Sequence, residues 1–296
     1  MSAPFPATAV DPQTLSHLQG WVGRTETLDD AITPVPIRAL AATLDLPASD
    51  APVATELPPL WHWLYFLPLH RHGELGPDGH AQLGGFLPPV PLPRRMWAGG
   101  RLLWETGNRL QVGDAIRRVS RIESVRHKAG RTGDLLFVLV RHEIHNARGL
   151  SLTEEHDIVY RAMPQAGDPV VQPVAAGHDA AWQREIVPDP VLLFRYSALT
   201  FNGHRIHYDR RHVTEVEGYP GLVVHGPLIA TLLIELVRQH APGSFVRRFE
   251  FKAVRPTFDL NPFHVKAQPS ADGAAVRLWS QDHEGWLTMQ ATAELG

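Results

Sequence analysis

The feature that most restricts the fold is one long apolar helix in the second half of the chain. Residues 228–240, LIATLLIELVRQH, place apolar side chains around well over half of a helical circumference. A helix of this kind is largely buried, whereas a surface helix is apolar along one stripe only. Pro227 near its first turn and Pro242-Gly243 after its end mark its limits. The sequence therefore predicts one helix that other elements of the fold enclose.

Short strands follow this helix. Residues 247–254, 264–268, 274–280 and 285–295 are predicted strands, and in the last of them apolar and polar residues alternate. Such alternation is typical of a strand with one buried face. Because the connections are short, neighbouring strands are expected to be antiparallel. A sheet that wraps around the buried helix, with the helices on one face, gives an α+β fold.

The first half is also predicted to be mainly sheet. Residues 118–125 and 135–144 flank the turn-rich sequence HKAGRTGD and predict a hairpin, which residues 151–161 continue. Residues 164–180 are rich in Pro, Gly and Ala without a clear period, as is typical of a linker. A chain of 296 residues is long enough for about two domains. We predict an N-terminal domain at 1–163, a linker at 164–180 and a C-terminal domain at 181–296.

A short motif recurs in the two predicted domains. The pattern Ile-x-Pro-x-Pro occurs at 32–36 and again at 186–190, each time before an apolar stretch of helical character. Proline is well tolerated in the first turn of a helix because its missing N–H is not needed there. The similar placement in each half indicates an internal duplication.

Composition excludes several classes of protein. The chain has no cysteine, which excludes disulfides, thiolate-bound metals, iron–sulfur clusters and cysteine nucleophiles. Its formal net charge of -3 disfavours a nucleic-acid partner. There is no apolar run long enough to span a membrane and no signal-peptide pattern at the start. We therefore expect a cytoplasmic protein without nucleic-acid or membrane partners.

Residues that can carry chemistry concentrate in one polar segment. Six such side chains fall within eleven residues: Asn202, His204, His207, Tyr208, Asp209 and His212. A solvated loop is one interpretation. A metal site formed by His204 and His207, with Asp209 nearby and His225 from farther along, is another. No zinc-protease signature such as His-Glu-x-x-His is present, however. We therefore predict no metal.

The segment resembles the active-site loop of the MaoC-like hydratases and dehydratases of the hot-dog superfamily. That motif runs Asp-x-Asn-Pro-aliphatic-His, and a His-Gly pair then opens the buried helix. This chain keeps the histidine and the His-Gly pair but replaces the aspartate, asparagine and proline. The corresponding residues are Asn202, His204, Arg205, Ile206, His207, His225 and Gly226.

Longer strings narrow the resemblance. FRYSALTFNGHRIHYD is similar to the type 2 hydroxyacyl-thioester dehydratase subgroup. PPLWHWLYFLP and GGFLPPVPLPRRMWAGGRL, both in the first half, resemble a bacterial set of mesaconyl-C4-CoA and itaconyl-CoA hydratases. The likeness covers nearly the whole chain from about Leu15. It implies a double hot-dog fold, in which two antiparallel sheets each wrap around a central helix. The N-terminal hot dog would bind substrate and CoA, and the C-terminal one would carry the active-site loop.

The resemblance also implies a reaction. This is the reversible addition of water to an α,β-unsaturated acyl-CoA, with mesaconyl-C4-CoA or itaconyl-CoA giving citramalyl-CoA. His207 would act as base or acid, because a histidine pKa near 6.5 allows both roles. Asn202, which cannot be a general base, would hold the water or orient His207. The N–H of Gly226 at the helix N-terminus would face the thioester oxygen. No cofactor is implied beyond the CoA of the substrate, and a homodimer is possible.

Cations are expected around an anionic substrate. Arg195 and Arg205 flank the motif and are candidates for a free substrate carboxylate, since Arg binds carboxylates with two hydrogen bonds. His204 and His225 are further substrate-binding candidates, with His225 equally suited to capping or packing, and Asp209 is predicted to be an exposed loop charge. Candidates for the CoA phosphates, which the sequence does not rank, are Arg94, Arg95, Arg248 and Lys252.

Three other functions stay open on the sequence alone. The chain could dehydrate 3-hydroxyacyl thioesters in fatty-acid or polyketide synthesis. It could be a non-catalytic acyl-CoA-binding subunit, since Asn202 replaces the usual acid. It could also be a thioesterase, because hot-dog thioesterases can use asparagine to hold water.

Overall fold

The computed structural model describes residues 10–46, 56–130, 133–163 and 172–296. The first half consists of short helices at the start and long strands at the end. In chain order it contains α1 (Pro12–Gln19), β1 (Thr25–Ala31), α2 (Pro34–Thr43), the 3₁₀ turns Trp61–Leu64 and His72–Glu74, β2 (Arg94–Trp104), β3 (Ala115–Gly130), β4 (Gly133–Asn146) and β5 (Gly149–Arg161).

The second half repeats this succession with a longer central helix. It contains β6 (Trp182–Ile186), α3 (Pro190–Leu199), the 3₁₀ turn Arg205–His207, α4 (Arg210–Glu215), α5 (Gly226–His240), β7 (Val246–Ala253), β8 (Phe263–Pro269), β9 (Ala275–Gln281) and β10 (Leu287–Leu295).

The strands form one continuous antiparallel sheet. Across the described residues the order is β1-β3-β4-β5-β2-β7-β10-β9-β8-β6. Counted from its own outer edge, each half shows the same sequence of strands: first, third, fourth, fifth and second. This is the arrangement that the predicted duplication requires, and it gives the double hot dog a single ten-stranded sheet.

The two halves join through β2 and β7, and β2 is a strand that the sequence did not predict. Two adjacent glycines interrupt the apolar and polar alternation of β2, and glycine weakens a strand pattern. The structure shows why one of them is needed: a Cβ on Gly99 would lie 2.5 Å from the carbonyl oxygen of Phe251 on β7. Glycine here permits the close backbone approach that joins the halves.

The buried helix is confirmed as α5. All ten residues from Leu228 to Val237 are buried, and the helix packs on β6, β8, β9 and β10. One of the ten is charged: Glu235 accepts hydrogen bonds from the indole of Trp61 (2.8 Å) and the guanidinium of Arg238 (2.5 Å). A buried carboxylate needs such partners. Since Trp61 belongs to the first half, this bond also ties the halves together.

The recurring proline motif opens a helix in each half. Pro34 and Pro190 stand in the first turns of α2 and α3, and these two helices contact each other. Among the described residues, no first-half helix is as long as α5. Instead, side chains of β3, β4 and β5 line a cavity, and this cavity positions the site described below.

The predicted domain boundaries stay a prediction. Residues 164–171 of the predicted linker lie outside the described residues, and the hydrophobic core runs across both halves. None of the described helices is long and apolar enough to cross a membrane.

Candidate active site

The polar loop begins where α3 ends. After Leu199 the chain turns at Phe201, whose φ is +50°. The N–H of Asn202 donates to the carbonyl of Ser197 (2.8 Å), and its Oδ1 accepts from the N–H of His204 (3.0 Å). Asparagine is well suited to such a turn. One lone pair of the Asn202 amide oxygen is therefore used, while its NH₂ has no partner within the described ranges.

His207 lies at the end of this loop in a fixed orientation. Its Nδ1 is 2.7 Å from the carbonyl oxygen of Val223, so that Nδ1 carries the proton and Nε2 has a free lone pair. Its ring stacks on that of His225 at 3.7 Å between centroids. Burial lowers the pKa of His207 to about 4. The imidazole is thus neutral near pH 7 and can accept a proton at Nε2.

His225 directly precedes α5, and its ring packs against that of His207. Its Nε2 lies 2.8 Å from the hydroxyl of Ser197, and its buried Nδ1 has no partner in the described part of the chain. Burial lowers the pKa of His225, and the neighbouring His207 lowers it further. α5 then starts at Gly226, followed by Pro227 in the cavity wall. The first N–H groups of a helix have no intrahelical acceptor and favour negative charge.

A loop from the first half is docked on the polar loop. The N–H of Arg205 donates to the carbonyl of Asp78 (2.9 Å), and its guanidinium donates to the carbonyl of Pro77 (2.9 Å). Gly79 and Gly203 face each other across this contact. A Cβ on Gly79 would lie 1.9 Å from the carbonyl oxygen of Gly203. The two backbones are therefore too close for a side chain at position 79.

This docking brings in a histidine that the sequence did not single out. His80 lines the cavity, and its Nδ1 lies 2.8 Å from a carboxylate oxygen of Asp78. The other Asp78 oxygen accepts from the backbone N–H of His80 (3.1 Å). The ring of His80 contacts that of His204 in a tilted arrangement, with 3.8 Å between centroids, and His204 in turn meets His207 edge-on at 5.4 Å. A chain of rings thus runs from Asp78 to His207.

The charges in this chain of rings are defined by burial and contact. Burial alone would raise the pKa of Asp78, but the hydrogen bond and charge of His80 lower it to about 2. Burial lowers the pKa of His80, and the charge of Arg95 lowers it further. Burial also lowers the pKa of His204. Near pH 7 the site therefore has an ionised Asp78 beside neutral imidazoles.

Asp78, His80 and His204 place three possible metal ligands within 4.8 Å of one another. Two features disfavour a cation there. His80 uses Nδ1 to bind Asp78, and the positive charge of Arg95 acts on all three side chains. The cluster is better described as a carboxylate that orients one imidazole, and the absence of a metal stays a prediction.

The cavity has a volume of about 820 Å³ and is formed by both halves. That volume lies within the range of small-molecule and cofactor sites. Glu154 in its wall is buried and accepts from His62 Nε2 (3.0 Å) and from the indole of Trp63 (3.1 Å). Further polar and aromatic lining residues include Glu26, His80, Arg95, Trp97, Arg118, His142, His156, Phe194, Ser197, Asn202 and Tyr208.

The predicted catalytic residues do come together, although only some reach the cavity. Asn202 lines the cavity wall, and Gly226 is adjacent to Pro227, which also lines it. His207 and His225 form a buried stacked pair that is not part of the cavity lining. His204 lies between His80 and His207.

Of the basic residues predicted to bind the substrate carboxylate or the CoA phosphates, only Arg95 lines the cavity. Arg195 is exposed and reaches the carbonyl of Ala42 (3.5 Å), while Arg205 is paired with Asp209 (2.7 Å), so neither lines the cavity. Asp209 is half-buried, and it also caps α4 through the N–H of His212 (3.0 Å). Of the four phosphate candidates, Arg94 pairs with Glu217 and Arg248 with Glu250, Lys252 lies on β7, and Arg95 lines the cavity.

The Gly79→Ala variant is expected to displace the docked loop and to lower activity by about tenfold or more, because a misplaced catalytic geometry of ~1 Å can cost up to ~10²-fold. Gly285→Ala is the matched control: both glycines have φ +87°, but a Cβ on Gly285 meets nothing within 4 Å. Both variants have the same backbone penalty, and only the first has the clash. Equal activities of the two variants in a hydration assay would contradict this role of Gly79.

Comparison with known proteins places the chain in a family. The sequence model of hydroxyacyl-thioester dehydratase type 2 matches residues 60–259. A mesaconyl-C(4)-CoA hydratase of Chloroflexus aurantiacus is 49% identical over 279 residues, which cover 93% of this chain and 97% of that protein.

Solved structures agree in fold. A MaoC-like dehydratase of Phytophthora capsici superposes with a TM-score of 0.67 at 13% identity, covering 95% of this chain and 98% of the other. A Mycobacterium tuberculosis protein described as a double hotdog fold gives a TM-score of 0.54 at 14% identity, covering 93% and 96%. The fold is therefore a double hot dog, and the chain belongs to the hydroxyacyl-thioester dehydratase type 2 family.

Proposed function

We propose that this protein adds water reversibly to an α,β-unsaturated acyl-CoA with a free carboxylate, converting mesaconyl-C4-CoA into citramalyl-CoA. The observation that carries the proposal is the cavity in which Asn202 and His80 lie beside the N-terminus of α5. The 49% identity to the Chloroflexus hydratase, over almost the whole of both chains, supports this substrate. Itaconyl-CoA is the related substrate to be compared with it.

The reaction has three requirements. A base takes a proton from water while the water oxygen bonds to the β-carbon. The electron pair of the double bond moves towards the thioester oxygen, which becomes an enolate. The α-carbon then takes a proton, and the imidazolium formed in the first step can supply it, so that one water molecule is added in total. A neutral histidine with a free Nε2 meets both proton-transfer requirements.

Two neutral imidazoles are available for this work. His207 has its Nδ1 bound to Val223, and His80 has its Nδ1 bound to Asp78. In our proposal His207 is the acid–base group that the motif implies, while His80 is a second such group, contributed by the first half. The NH₂ of Asn202 donates a hydrogen bond to the water or to the thioester. The N–H of Gly226 and the dipole of α5 stabilise the enolate oxygen.

The alternative functions differ in what they would need from this cavity. A dehydratase for simple 3-hydroxyacyl chains needs an apolar tunnel, whereas two arginines line this one. A binding subunit needs no group that exchanges protons with the substrate. His80 and His207, however, are both neutral imidazoles whose Nε2 is free to do so. We keep the thioesterase as an outcome of the test. The homodimer and the cytoplasmic location stay predictions.

The test is a set of CoA thioesters given to the purified protein after dialysis against a chelator. We expect the double-bond absorbance of mesaconyl-C4-CoA to fall with formation of citramalyl-CoA, faster than with itaconyl-CoA or crotonyl-CoA, and without added metal. Release of free thiol would instead identify a thioesterase, and unchanged absorbance with bound ligand would identify a binding subunit. Activity restored only by a divalent metal would contradict the metal-free mechanism.

A further inference from the structure

Two arginines in the cavity wall form no salt bridge with any residue of the described ranges. Arg95 on β2 and Arg118 on β3 line the cavity, and neither forms an ion pair with any residue that the structure describes. Arginines beside them on the same strands are paired. Those pairs are Arg94 with Glu217, Arg101 with Glu155 and Asp157, and Arg117 with Asp29.

Arg95 lies close to the proposed reaction centre. After burial, its charge is the next largest cause of the lowered pKa of His80, and it also lowers the pKa values of Asp78 and His204. Asp78, the carboxylate among these three groups, already accepts from the imidazole and the N–H of His80. Arg95 thus lines the cavity and its charge acts on these three groups, while the carboxylate of Asp78 is already bound to His80.

Arg118 is in a different environment within the cavity. Burial lowers its pKa, and the carboxylates of Glu154 and Glu26 act on it in the opposite direction. Its Nε is buried without a hydrogen-bond partner among the described residues, and its guanidinium lies 5.1 Å from the ring of Phe66. Two carboxylates therefore already act on Arg118. This leaves Arg95 as the cation with capacity for a bound anion.

The chemistry of the proposed substrate determines where its anion must lie. In mesaconyl-C4-CoA the free carboxylate is bonded to the same carbon that receives the water oxygen. Its binding partner must therefore stand in the cavity wall beside the acid–base groups. Arg95 meets this condition, whereas Arg195 and Arg205 are outside the cavity wall. A guanidinium can hold a carboxylate through two parallel hydrogen bonds.

We propose that Arg95 binds the free carboxylate of the acyl group and selects dicarboxylic acyl thioesters over simple enoyl thioesters. This rests on the proposed function, and it adds a specificity-determining residue that the motif does not contain.

The first experiment measures binding without any reaction. Succinyl-CoA and butyryl-CoA have acyl chains of the same carbon count, one ending in a carboxylate and the other in a methyl group. We expect the unmodified protein to bind succinyl-CoA more tightly, and the Arg95→Met variant to bind it about 10²-fold more weakly, because truncating one side of a buried charge pair is costly. Binding of butyryl-CoA should change little. Equal loss for both ligands, or none for succinyl-CoA, would overturn the proposal.

The second experiment measures hydration with mesaconyl-C4-CoA, 3-methylcrotonyl-CoA and crotonyl-CoA. In 3-methylcrotonyl-CoA a methyl group replaces the carboxylate on the same carbon. Arg95→Met should lose about 10²-fold more in kcat/KM for mesaconyl-C4-CoA than for the other two substrates, and Arg95→Lys should recover part of this difference. Arg101→Gln, on the same strand but outside the cavity lining, should match the unmodified protein.

The two experiments separate the two proposals. If the unmodified protein hydrates crotonyl-CoA but not mesaconyl-C4-CoA, the proposed substrate is wrong. The ratio of the affinities for succinyl-CoA and butyryl-CoA still tests the role of Arg95. If mesaconyl-C4-CoA is hydrated and Arg95→Met slows all three substrates equally, the substrate stands and the role of Arg95 is wrong.

Discussion

Hydration of mesaconyl-C4-CoA by the His207→Ala variant is expected to be at least ~10²-fold slower than by the unmodified protein, which is the usual effect of losing a general acid–base group. The geometry explains why alanine cannot substitute. Val223 holds Nδ1 and the ring of His225 holds the plane of the imidazole, so that Nε2 is presented in one orientation. Loss of the ring removes both the lone pair and the support of His225.

A matched control is available at the far end of α5. His240 also has its Nδ1 near a main-chain carbonyl, that of Leu236 (3.0 Å), and its ring is also stacked, on Trp182. It does not line the cavity. His240→Ala should keep full activity, while His207→Ala should not. Full activity in folded His207→Ala would remove His207 from the mechanism.

The pH dependence follows from the direction of the pKa shift. With its pKa lowered to about 4, His207 stays neutral as the pH falls from 8 to 6. Only at lower pH does protonation of Nε2 remove the lone pair that accepts the proton of water. For this group, kcat/KM should therefore be flat near neutrality and fall only as the pH approaches 4. A fall centred near pH 6.5 would show an unburied imidazole and contradict the structure.

The sequence predicted correctly those helices and strands that depend on residues close together in the chain. The buried helix, the strands after it and the helices that begin at Pro34 and Pro190 depend on periodicity and on proline, which are read from neighbouring residues. The strand Arg94–Trp104 was missed because its glycines are understood only from the approach of Phe251 in the other half. The residues of the loop motif were likewise predictable, because they are close in sequence.

The rest of the site depends on contacts between distant segments. His80 reaches His204 only because Gly79 and Gly203 let two backbones touch, and glycine occurs in loops for many reasons besides close packing. Arg195 and Arg205 were chosen because they flank the motif, but α3 exposes the first and Asp209 engages the second. Nearness in sequence does not determine which way a side chain points. The Asp-Gly-His sequence at 78–80 was the available signal, since it places a carboxylate within reach of an imidazole.

The His80→Ala variant is expected to lose about 10²-fold in kcat, again the scale of an acid–base group. His80 is a candidate because it combines three properties: its ring lines the cavity, an ionised carboxylate holds its Nδ1, and its Nε2 has no partner in the described ranges. A carboxylate in this position keeps the correct tautomer and stabilises the imidazolium that forms when water loses its proton.

The Asp78→Asn variant distinguishes positioning from simple structural support. Asp78 raises the pKa of His80 through its hydrogen bond and charge, against the lowering by burial and Arg95. Its loss should therefore lower the pKa of His80 further, slow turnover by about tenfold or more, and move the acidic limb of the pH profile to lower pH. The control is Asp134→Asn, which breaks a similar pair with His127 (2.7 Å) on the β3–β4 hairpin, outside the cavity lining. If the hydration rate and pH profile of Asp78→Asn match those of Asp134→Asn, the first half contributes no acid–base group, and His207 must transfer both protons alone.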